Sequence, residues 1–301
     1  MPRIVAIDLG TDTTRICGPA AGRVVEAPTA AVAEPLRGGV VVDVEAAARL
    51  LRPLLGRLRW FGFLPRRALV CVPSDASPDE RAALVDATER AGPSVGAVVP
   101  ELRAAAVGAG VDVGAPHAQM VVDVGHGVTD AGVFRDGRLV ATAAVRFAGR
   151  DVQDAVAAAV REDAGLCLAR RDAADACLRL DAWRARPEAA VRVRGDDART
   201  RRPRDASLAA HRVLAAADMA VARIVADVAE AVRRLPPELG CEVLESGIRL
   251  TGGGAHLDGL AERLAEATAI PVTVAPEPRY AVIRGAREIL SFAAVHAIWD
   301  R

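Results

Sequence analysis

This 301-residue sequence contains no lysine and no asparagine, so every basic side chain apart from its five histidines is an arginine. We attribute both absences to codon bias in a GC-rich genome. The arginines number 39 and are matched by 39 acidic residues, so the formal net charge is zero. A balanced charge produces no global field that would attract a polyanion. We therefore predict that the protein has no nucleic-acid partner.

Cysteine and histidine are also scarce, and neither shows the spacing of a metal or disulfide site. The five cysteines include no Cys-x-x-Cys pair, and the five histidines lack ligand spacing. These patterns favour neither a zinc site nor a disulfide framework. Met1 leads at once into an apolar run with no signal peptide, and no uncharged apolar stretch is long enough to span a bilayer. The sequence predicts a cytoplasmic protein.

The chain does contain three glycine turns, each directly after an apolar run. Two are Asp-x-Gly turns, which begin at Asp8 after 4–7 and at Asp123 after 120–122. The third, 251–255, reads Thr-Gly-Gly-Gly-Ala. Glycine allows the backbone to approach an anion closely, and the N–H groups of such a turn can point at phosphate oxygens. The three turns predict a phosphate-binding site.

The pairing of the two Asp-x-Gly turns makes this prediction more specific. A single Asp-x-Gly is a common hairpin turn, but two facing hairpins can hold a triphosphate tail from both sides. A carboxylate on each hairpin, Asp8 and Asp123, would hold Mg²⁺ through water, which this ion prefers to keep. We therefore predict a nucleoside triphosphate and Mg²⁺ as ligands.

The order of predicted elements repeats once along the chain, which predicts an α/β fold of two duplicated sheet-and-helix domains. The first half shows strands near 3–8, 14–18, 23–27, 68–72 and 95–99, with helices over 43–59, from Ser77 and over 101–110. The second half begins again with strands near 118–124, 128–135 and 138–146, followed by a helix near 149–163. A hairpin and loop are expected between 183 and 204, a long helix over 206–234, a strand over 247–251, a helix over 254–268, a strand over 271–275 and a last helix from about 281.

Several segments together resemble the MreB and Mbl bacterial actins of the actin-like ATPase superfamily. The resemblance runs nearly end to end and rests on the segments 7–11, 70–74, 104–110, 120–125, 236–239 and 247–255. It implies an actin-like ATPase fold, with domain I over 1–115, domain II over 116–301 and a helical subdomain at about 165–245. It also implies ATP as the nucleotide, bound in the cleft between the domains.

The same resemblance implies roles for individual residues. Glu101 falls on the glutamate that orients the attacking water, although a carboxylate favoured by a helix N-terminus is the alternative. Thr129 falls on a threonine of the second loop, and Asp130 stands where MreB has Glu, actin has His and DnaK-type chaperones have Asp. Arg179 matches a lysine near the adenine by a loose alignment. The remaining expected nucleotide contacts are Asp8, Gly10, Thr11, Asp12, Thr13, Thr14, Arg15, Asp123, Gly125, His126, Gly127, Gly252, Gly253, Gly254 and Ala255.

The chain departs from the family pattern at the phosphate loops and at one tip of the fold. Asp12 and Thr13 replace the usual Ala-Asn of the first loop, and His126 replaces the central glycine of the second. Arg15 is either a gained phosphate contact or a solvated strand charge. Between the 30–35 strand and the 38–43 segment only Leu36 and Arg37 remain, so the small tip subdomain that makes protofilament contacts is largely missing. Nucleotide binding is therefore predicted more strongly than polymerisation or fast hydrolysis.

An aromatic loop provides a second expected site. Trp60, Phe61, Phe63 and Leu64 lie between a predicted helix and strand, flanked by arginines. In MreB the corresponding loop inserts into the inner face of the membrane, so we expect peripheral attachment to an anionic membrane surface. The alternative is a loop tucked onto its own domain or packed on a partner.

These observations favour an ATP-binding actin-like cytoskeletal protein of the cell-shape class. The expected partners are further copies of itself, homologous bacterial actins and other cell-shape proteins. A slow Mg²⁺-dependent ATPase activity is compatible with this function. A nucleotide-binding adaptor or scaffold that does not polymerise is the first alternative, because the tip subdomain is short. A small-molecule kinase is the second, although the chain is short for a substrate subdomain.

Overall fold

The computed structural model describes residues 4–19, 24–29, 34–58 and 65–295. Within them the chain forms two five-stranded sheets with the same topology. The first has the order β3-β2-β1-β6-β7, where β1 is Ile4–Leu9, β2 Thr13–Cys17, β3 Val25–Pro28, β6 Arg67–Val72 and β7 Ser94–Pro100. The second has the order β10-β9-β8-β14-β15, where β8 is Gln119–Val124, β9 Thr129–Arg135, β10 Arg138–Val145, β14 Ile248–Thr251 and β15 Val272–Val274.

Both sheets combine an antiparallel meander with a parallel half. In the first, β1 pairs antiparallel with β2 and parallel with β6. In the second, β8 pairs antiparallel with β9 and parallel with β14. The predicted duplication is therefore present in the strand order, and it places the ends of β1 and β8 in equivalent positions.

Helices cover these sheets, and two smaller sheets extend them. The helices are α1 (Val44–Gly56), α2 (Pro78–Ala91), α3 (Glu101–Gly108), α4 (Gly149–Ala164), α5 (Arg170–Cys177), α6 (Leu180–Arg184), α7 (Ala210–Arg233), α8 (Pro237–Ser246), α9 (Leu260–Thr268) and α10 (Ala281–Val295). The smaller sheets are the hairpin of β4 (Leu36–Arg37) with β5 (Val40–Val41), and a three-stranded sheet of β11 (Leu166–Cys167), β12 (Ala190–Asp197) and β13 (Pro203–Ala209).

The first sheet is buried on both faces because its central strands β1 and β6 are apolar at most positions. Val5 and Ile7 of β1 pack in a cluster with α1 and α2, whereas Ile4 and Ala6 face α3 and α10. This alternation follows the two-residue period of a strand. Leu102 of α3 also packs against the second sheet. The helix α3 therefore lies between the two sheets, and its first residue, Glu101, lies in the cleft between the domains.

Four predicted features of the fold differ in the structure. The last helix, α10, packs on α3 and β1 of the first domain, so 116–301 is not one packing unit. Residues 206–209 end β13 rather than begin a helix, because they pair with β12. The helix expected over 254–268 starts at Leu260, after a 3₁₀ turn and a left-handed Gly259. The 165–245 region contains the β11–β13 sheet as well as helices.

The shortened tip appears as the β4–β5 hairpin, whose turn is Gly38-Gly39. Most of the strand expected over 30–35 lies outside the described residues, as do Trp60, Phe61, Phe63 and Leu64 of the aromatic loop. The capping box expected at Ser77 is present, with Glu80 and Ser77 exchanging hydrogen bonds. No helix in the described ranges is both long and apolar enough to cross a membrane.

Candidate functional site: a cleft between two phosphate-loop hairpins

The two Asp-x-Gly turns connect β1 to β2 and β8 to β9 with the same local geometry. An added Cβ would lie 2.8 Å from the carbonyl oxygen of Thr13 at Gly10, and 3.0 Å from that of Val128 at Gly125. Glycine is therefore required at the same point of each hairpin, because the backbone folds back on itself there. The duplication extends to the turns themselves.

The triple-glycine turn after β14 packs directly on the second hairpin. Gly252 has φ +84°, and a Cβ there would lie 2.6 Å from the carbonyl carbon of Val124. A Cβ at Gly254 would lie 2.9 Å from the Val124 carbonyl oxygen, whereas one at Gly253 would meet no heavy atom within 4 Å. Gly252 and Gly254 thus permit the packing, and Gly253 is exposed to the open cleft. The Thr251 hydroxyl donates a 2.7 Å hydrogen bond to Asp123, which joins the turn to the hairpin.

These three turns surround a cleft of about 410 Å³ between the two domains. This is within the roughly 300–1,000 Å³ range of small-molecule sites. Most of the residues expected to contact the nucleotide line it: Asp8, Gly10, Thr11, Asp12, Thr13, Arg15, Glu101, Asp123, Gly125, His126, Gly127, Asp130, Gly252, Gly253 and Gly254.

Four expected contacts do not line the cleft. Thr14 is fully buried and shares a 2.9 Å hydrogen bond with Thr29. The Thr129 hydroxyl donates to the Phe147 carbonyl oxygen at 2.8 Å, and Ala255 is buried in the core of the second domain. Arg179 precedes α6, beyond the lining residues Cys177 and Leu178 of the same segment. Strand alternation and local hydrogen bonds direct these side chains away from the cleft.

Four carboxyl groups lie at the phosphate-loop end, of which Asp8, Asp123 and Asp130 are buried and Glu101 is half-buried, and each has a raised pKa. Burial raises the pKa of Asp8 to about 6, although Arg15 nearby opposes this. Burial, with Asp123 adding repulsion, raises the pKa of Asp130 to about 7. Burial likewise raises the pKa of Asp123 and, together with Asp8 and Asp130, holds the pKa of Glu101 well above its usual value. This end of the cleft is therefore poised to accept positive charge.

A positively charged side chain reaches this acidic end from β2. The Arg15 guanidinium lies 3.5 Å from the Asp8 carboxylate and 3.3 Å from Glu26, and its side chain is 11% exposed. It also lies over the Tyr280 ring, 5.1 Å from its centroid. Arg15 is thus held inside the cleft rather than solvated, which excludes the solvated alternative for it.

The acidic end suits a divalent cation that keeps its water ligands better than one coordinated directly by several side chains. Asp130 Oδ1 is buried without a hydrogen-bond partner, as expected for an atom that awaits a ligand or water. Among the described residues, no group of three or more His, Cys, Asp or Glu side chains has metal-holding geometry. Mg²⁺ usually keeps several waters and takes few carboxylates. Asp8 and Asp123 would hold such an ion.

The two domains also meet across the phosphate-loop end, above the cleft. The Gly39 N–H donates a 2.9 Å hydrogen bond to Thr11 Oγ1, and a Cβ at Gly127 would lie 3.3 Å from Gly39 N. Arg146, just after β10, donates to the Gly38 carbonyl at 3.1 Å and pairs with Asp75 at 3.2 Å. The glycine turn of the shortened tip therefore covers both phosphate loops, and Arg146 holds it there.

The other end of the cleft is lined mainly by apolar groups that sequence reasoning missed. They come from three separated segments, and no local pattern marks them as neighbours: Ala174, Cys177, Leu178, Leu257, Pro278 and Val282, with Gln153, His256 and Arg279 adding polar atoms. An apolar slot with a few polar groups suits a flat, largely apolar ligand group such as a nucleobase.

Two duplicated sheets around a cleft, each with an Asp-x-Gly hairpin, define the actin-like ATPase fold. Comparison with solved structures agrees. MreB5 of Spiroplasma citri bound to AMPPNP superposes with a TM-score of 0.83 at 23% identity, over 98% of this chain and 97% of that one. The MamK double helical filament matches with a TM-score of 0.75 at 20% identity, over 95% and 98% of the two chains.

Within this fold class the chain belongs to the MreB/Mbl family. The family's sequence profile, described as MreB/Mbl protein, matches residues 1–297. The cell shape-determining protein Mbl of Bacillus subtilis (strain 168) is 31% identical over 290 residues, which cover 94% of this chain and 86% of Mbl. The predicted fold, and the predicted kinship with the cell-shape bacterial actins, are confirmed.

Proposed function

We propose that this chain binds ATP with Mg²⁺ in the interdomain cleft and works as an actin-like cytoskeletal protein of the cell-shape class. The observation that carries the proposal is the convergence of three glycine turns on one cleft with four carboxyl groups of raised pKa. The AMPPNP bound to Spiroplasma MreB5, and the cell-shape role of B. subtilis Mbl, support it.

The chemistry follows from the two ends of the cleft. The turn N–H groups and Arg15 bind the phosphates, and the apolar slot takes the base. Mg²⁺, when bound through water at Asp8 and Asp123, supplies positive charge that offsets the phosphates. Glu101 and Asp130 lie close enough to each other to raise Glu101's pKa, and either can accept a proton from an attacking water. Slow ATP hydrolysis is the expected activity.

The sharpest test of nucleotide binding uses Gly253. A Cβ at Gly253 meets no heavy atom within 4 Å and Gly253 lines the cleft, so we expect Gly253→Val to keep the fold while blocking the approach of phosphate. Loss of one charge-assisted hydrogen bond, roughly 1.5–3 kcal/mol, predicts about 10–100-fold weaker ATP binding by calorimetry. Gly240→Val in α8 is the matched control, because an added Cβ at Gly240 also meets no heavy atom within 4 Å. Equal affinity of the two variants would mean that ATP does not bind in this cleft.

We also propose that the protein self-associates at the inner face of the cell membrane, with other copies, homologous actins and cell-shape proteins as partners. The filament formed by MamK supports self-association. In this proposal the protein is cytoplasmic, and membrane attachment would use Trp60, Phe61, Phe63 and Leu64. Electron microscopy of the purified protein with ATP, with and without anionic lipid, tests both parts.

The second candidate function is a nucleotide-binding adaptor that does not polymerise. The observation that favours it is the reduction of the tip to the β4–β5 hairpin, whose turn covers the phosphate loops. ATP binding without filaments in the same microscopy experiment would support the adaptor, and filaments would exclude it.

A further inference from the structure

Arg15 is the middle member of a row of three charged side chains that crosses the first sheet. On β2 it lies directly opposite Asp8 of β1 and directly opposite Glu26 of β3. Residues that face each other across antiparallel strands share one face of the sheet. The Arg15 Nε donates to Glu26 at 3.3 Å, and its Nη1 lies 3.5 Å from the Asp8 carboxylate. The strand register therefore places one cation between two carboxylates beside the cleft.

An aromatic ring from a distant part of the chain also contacts Arg15. Tyr280 ends a 3₁₀ turn, Pro278–Tyr280, that lies between β15 and α10. The Arg15 guanidinium lies 5.1 Å from the centroid of the Tyr280 ring, within the roughly 6 Å range of a cation–π contact. The Tyr280 hydroxyl donates to Glu26 at 3.3 Å. Tyr280 thus contacts both Arg15 and the carboxylate that binds Arg15.

The 3₁₀ turn that carries Tyr280 is also hydrogen-bonded to the second domain. The Gly252 N–H, in the triple-glycine turn, donates to the Pro278 carbonyl oxygen at 3.1 Å. Gly252 follows β14 of the second sheet, whereas Arg15 belongs to the first, so the 3₁₀ turn joins the two walls of the cleft. Arg279 of the same turn lines the cleft and lies 5.2 Å from the Tyr280 ring centroid. A test of Tyr280 therefore has to separate its effect on Arg15 from an effect on Arg279.

These contacts limit the Arg15 side chain to one direction. An arginine side chain has many rotamers, and ordering it when a ligand binds costs free energy. Here contacts within the protein, to the Tyr280 ring and to Glu26, hold the guanidinium. The contacts to Glu26 and Asp8 engage Nε and Nη1, and a guanidinium carries five N–H donors. Arg15 therefore keeps donors for a phosphate oxygen in the cleft that it lines.

We propose that Tyr280 is a positioning residue for nucleotide binding: its ring, and the bond from its hydroxyl to Glu26, hold the Arg15 guanidinium where it binds the phosphates. The inference rests on the proposed function and extends it to a residue outside the phosphate loops. Tyr280 is not one of the residues that line the cleft, so it acts through Arg15 rather than on the nucleotide.

The first test is a double-mutant cycle on ATP affinity, measured by calorimetry with Mg²⁺. Tyr280→Leu should weaken ATP binding about 2–30-fold, the range that a cation–π contact supplies. In an Arg15→Leu background the same substitution should have no further effect, because the side chain that it positions is gone. Tyr280→Phe, which keeps the ring and loses the hydroxyl, should lie between wild type and Tyr280→Leu. Arg138→Leu, which removes an exposed arginine outside the lining of the cleft, is the control and should match wild type.

The second test does not depend on the folding of Tyr280→Leu. Tyr280 is the one tyrosine in the sequence, so labelling with fluorotyrosine gives a single fluorine NMR resonance. That resonance should move when ATP saturates the wild type, because Arg15 then shares its charge with a phosphate. In Arg15→Leu at saturating ATP the movement should be much smaller.

Three results would overturn the inference: an ATP affinity that Tyr280→Leu leaves unchanged, an equal effect of Tyr280→Leu with and without Arg15, or an equal fluorine shift in Arg15→Leu and wild type. The second of these would indicate that Tyr280 acts through Arg279 or through the fold. A wild type that does not bind ATP overturns the proposed function instead. In that case the resonance of the nucleotide-free protein, compared between wild type and Arg15→Leu, still shows whether the ring and the guanidinium are in contact.

Discussion

The helices α3 and α10 cross so closely at Gly108 and Gly285 that neither position has room for a side chain. A Cβ added at Gly285 would lie 2.6 Å from the backbone nitrogen of Gly108 and 2.8 Å from the carbonyl carbon of Ala104. These are backbone atoms, so relief requires one helix to move rather than a side chain to rotate. Gly285→Ala should therefore destabilise the protein although alanine favours helices.

The magnitude follows from two opposing terms. Overpacking a well-packed contact costs typically 1–3 kcal/mol, and a backbone clash belongs near the upper end. Replacing glycine by alanine inside a helix stabilises the folded state by about 0.5–1 kcal/mol. The net loss is about 2 kcal/mol, which corresponds to a fall of about 3 °C in Tm for 301 residues at roughly 2.1 cal/mol/K of unfolding entropy per residue. ATP affinity should fall too, because α3 contributes Glu101 and α10 contributes Val282 to the lining of the cleft.

The assay is thermal unfolding of Gly285→Ala against Gly240→Ala. Gly240 also lies inside a helix, but a Cβ there meets no heavy atom within 4 Å, so this control should gain stability by about 0.5–1 kcal/mol. The two substitutions are chemically identical, and only the crossing distinguishes them. Shifts of the same sign and size in both variants would refute the close backbone contact between α3 and α10.

Three further predictions concern the cleft and the aromatic loop. The pKa of Asp130 is raised from 3.8 to about 7, so the folded state holds its proton longer than the unfolded state and stability is lost as pH rises through about 7. Asp130→Asn should then raise the free energy of unfolding of the nucleotide-free protein by on the order of 2–4 kcal/mol at about pH 8, and should leave it unchanged at about pH 4. Urea midpoints of variant and wild type that agree at both pH values would contradict this. Arg146→Ala should speed release of a fluorescent ATP analogue about 5–10-fold, because it removes several partly exposed polar contacts worth up to about 1 kcal/mol each that hold the Gly38-Gly39 turn over the phosphate loops. Arg138→Ala, at the start of β10, is the control, and equal release rates from the two variants would exclude this role of Arg146. Serine at all three aromatic positions 60, 61 and 63 should reduce co-sedimentation with anionic liposomes, since each large apolar side chain contributes at most roughly 1.5–3 kcal/mol; equal pelleting of a variant that still binds ATP would exclude this anchor.

Local chemistry explains why much of the site could be predicted from the sequence. An Asp-x-Gly turn after an apolar run specifies a hairpin through the conformational freedom of glycine, which requires no distant contact. The same holds for the Ser77 capping box, whose partners are three residues apart. The repeat of strands and turns then predicted a duplicated fold, and the segment resemblance predicted its family.

Tertiary structure alone decided which side chains reach the cleft and which element joins which domain. Thr14 and Thr129 belong to the predicted loops, yet strand alternation and their bonds to Thr29 and Phe147 direct them into the protein. The last helix joins the first domain because Gly108 and Gly285 allow it to approach α3 closely. These two glycines are 177 residues apart in the chain, so no local pattern predicts their contact. Residues 206–209 have helical periodicity but pair with β12, because the backbone hydrogen bonds between β12 and β13 outweigh a weak local preference for helix. Turns and helix caps are specified by residues a few positions apart in the sequence. Burial and the lining of the cleft depend on contacts that exist only once the chain has folded.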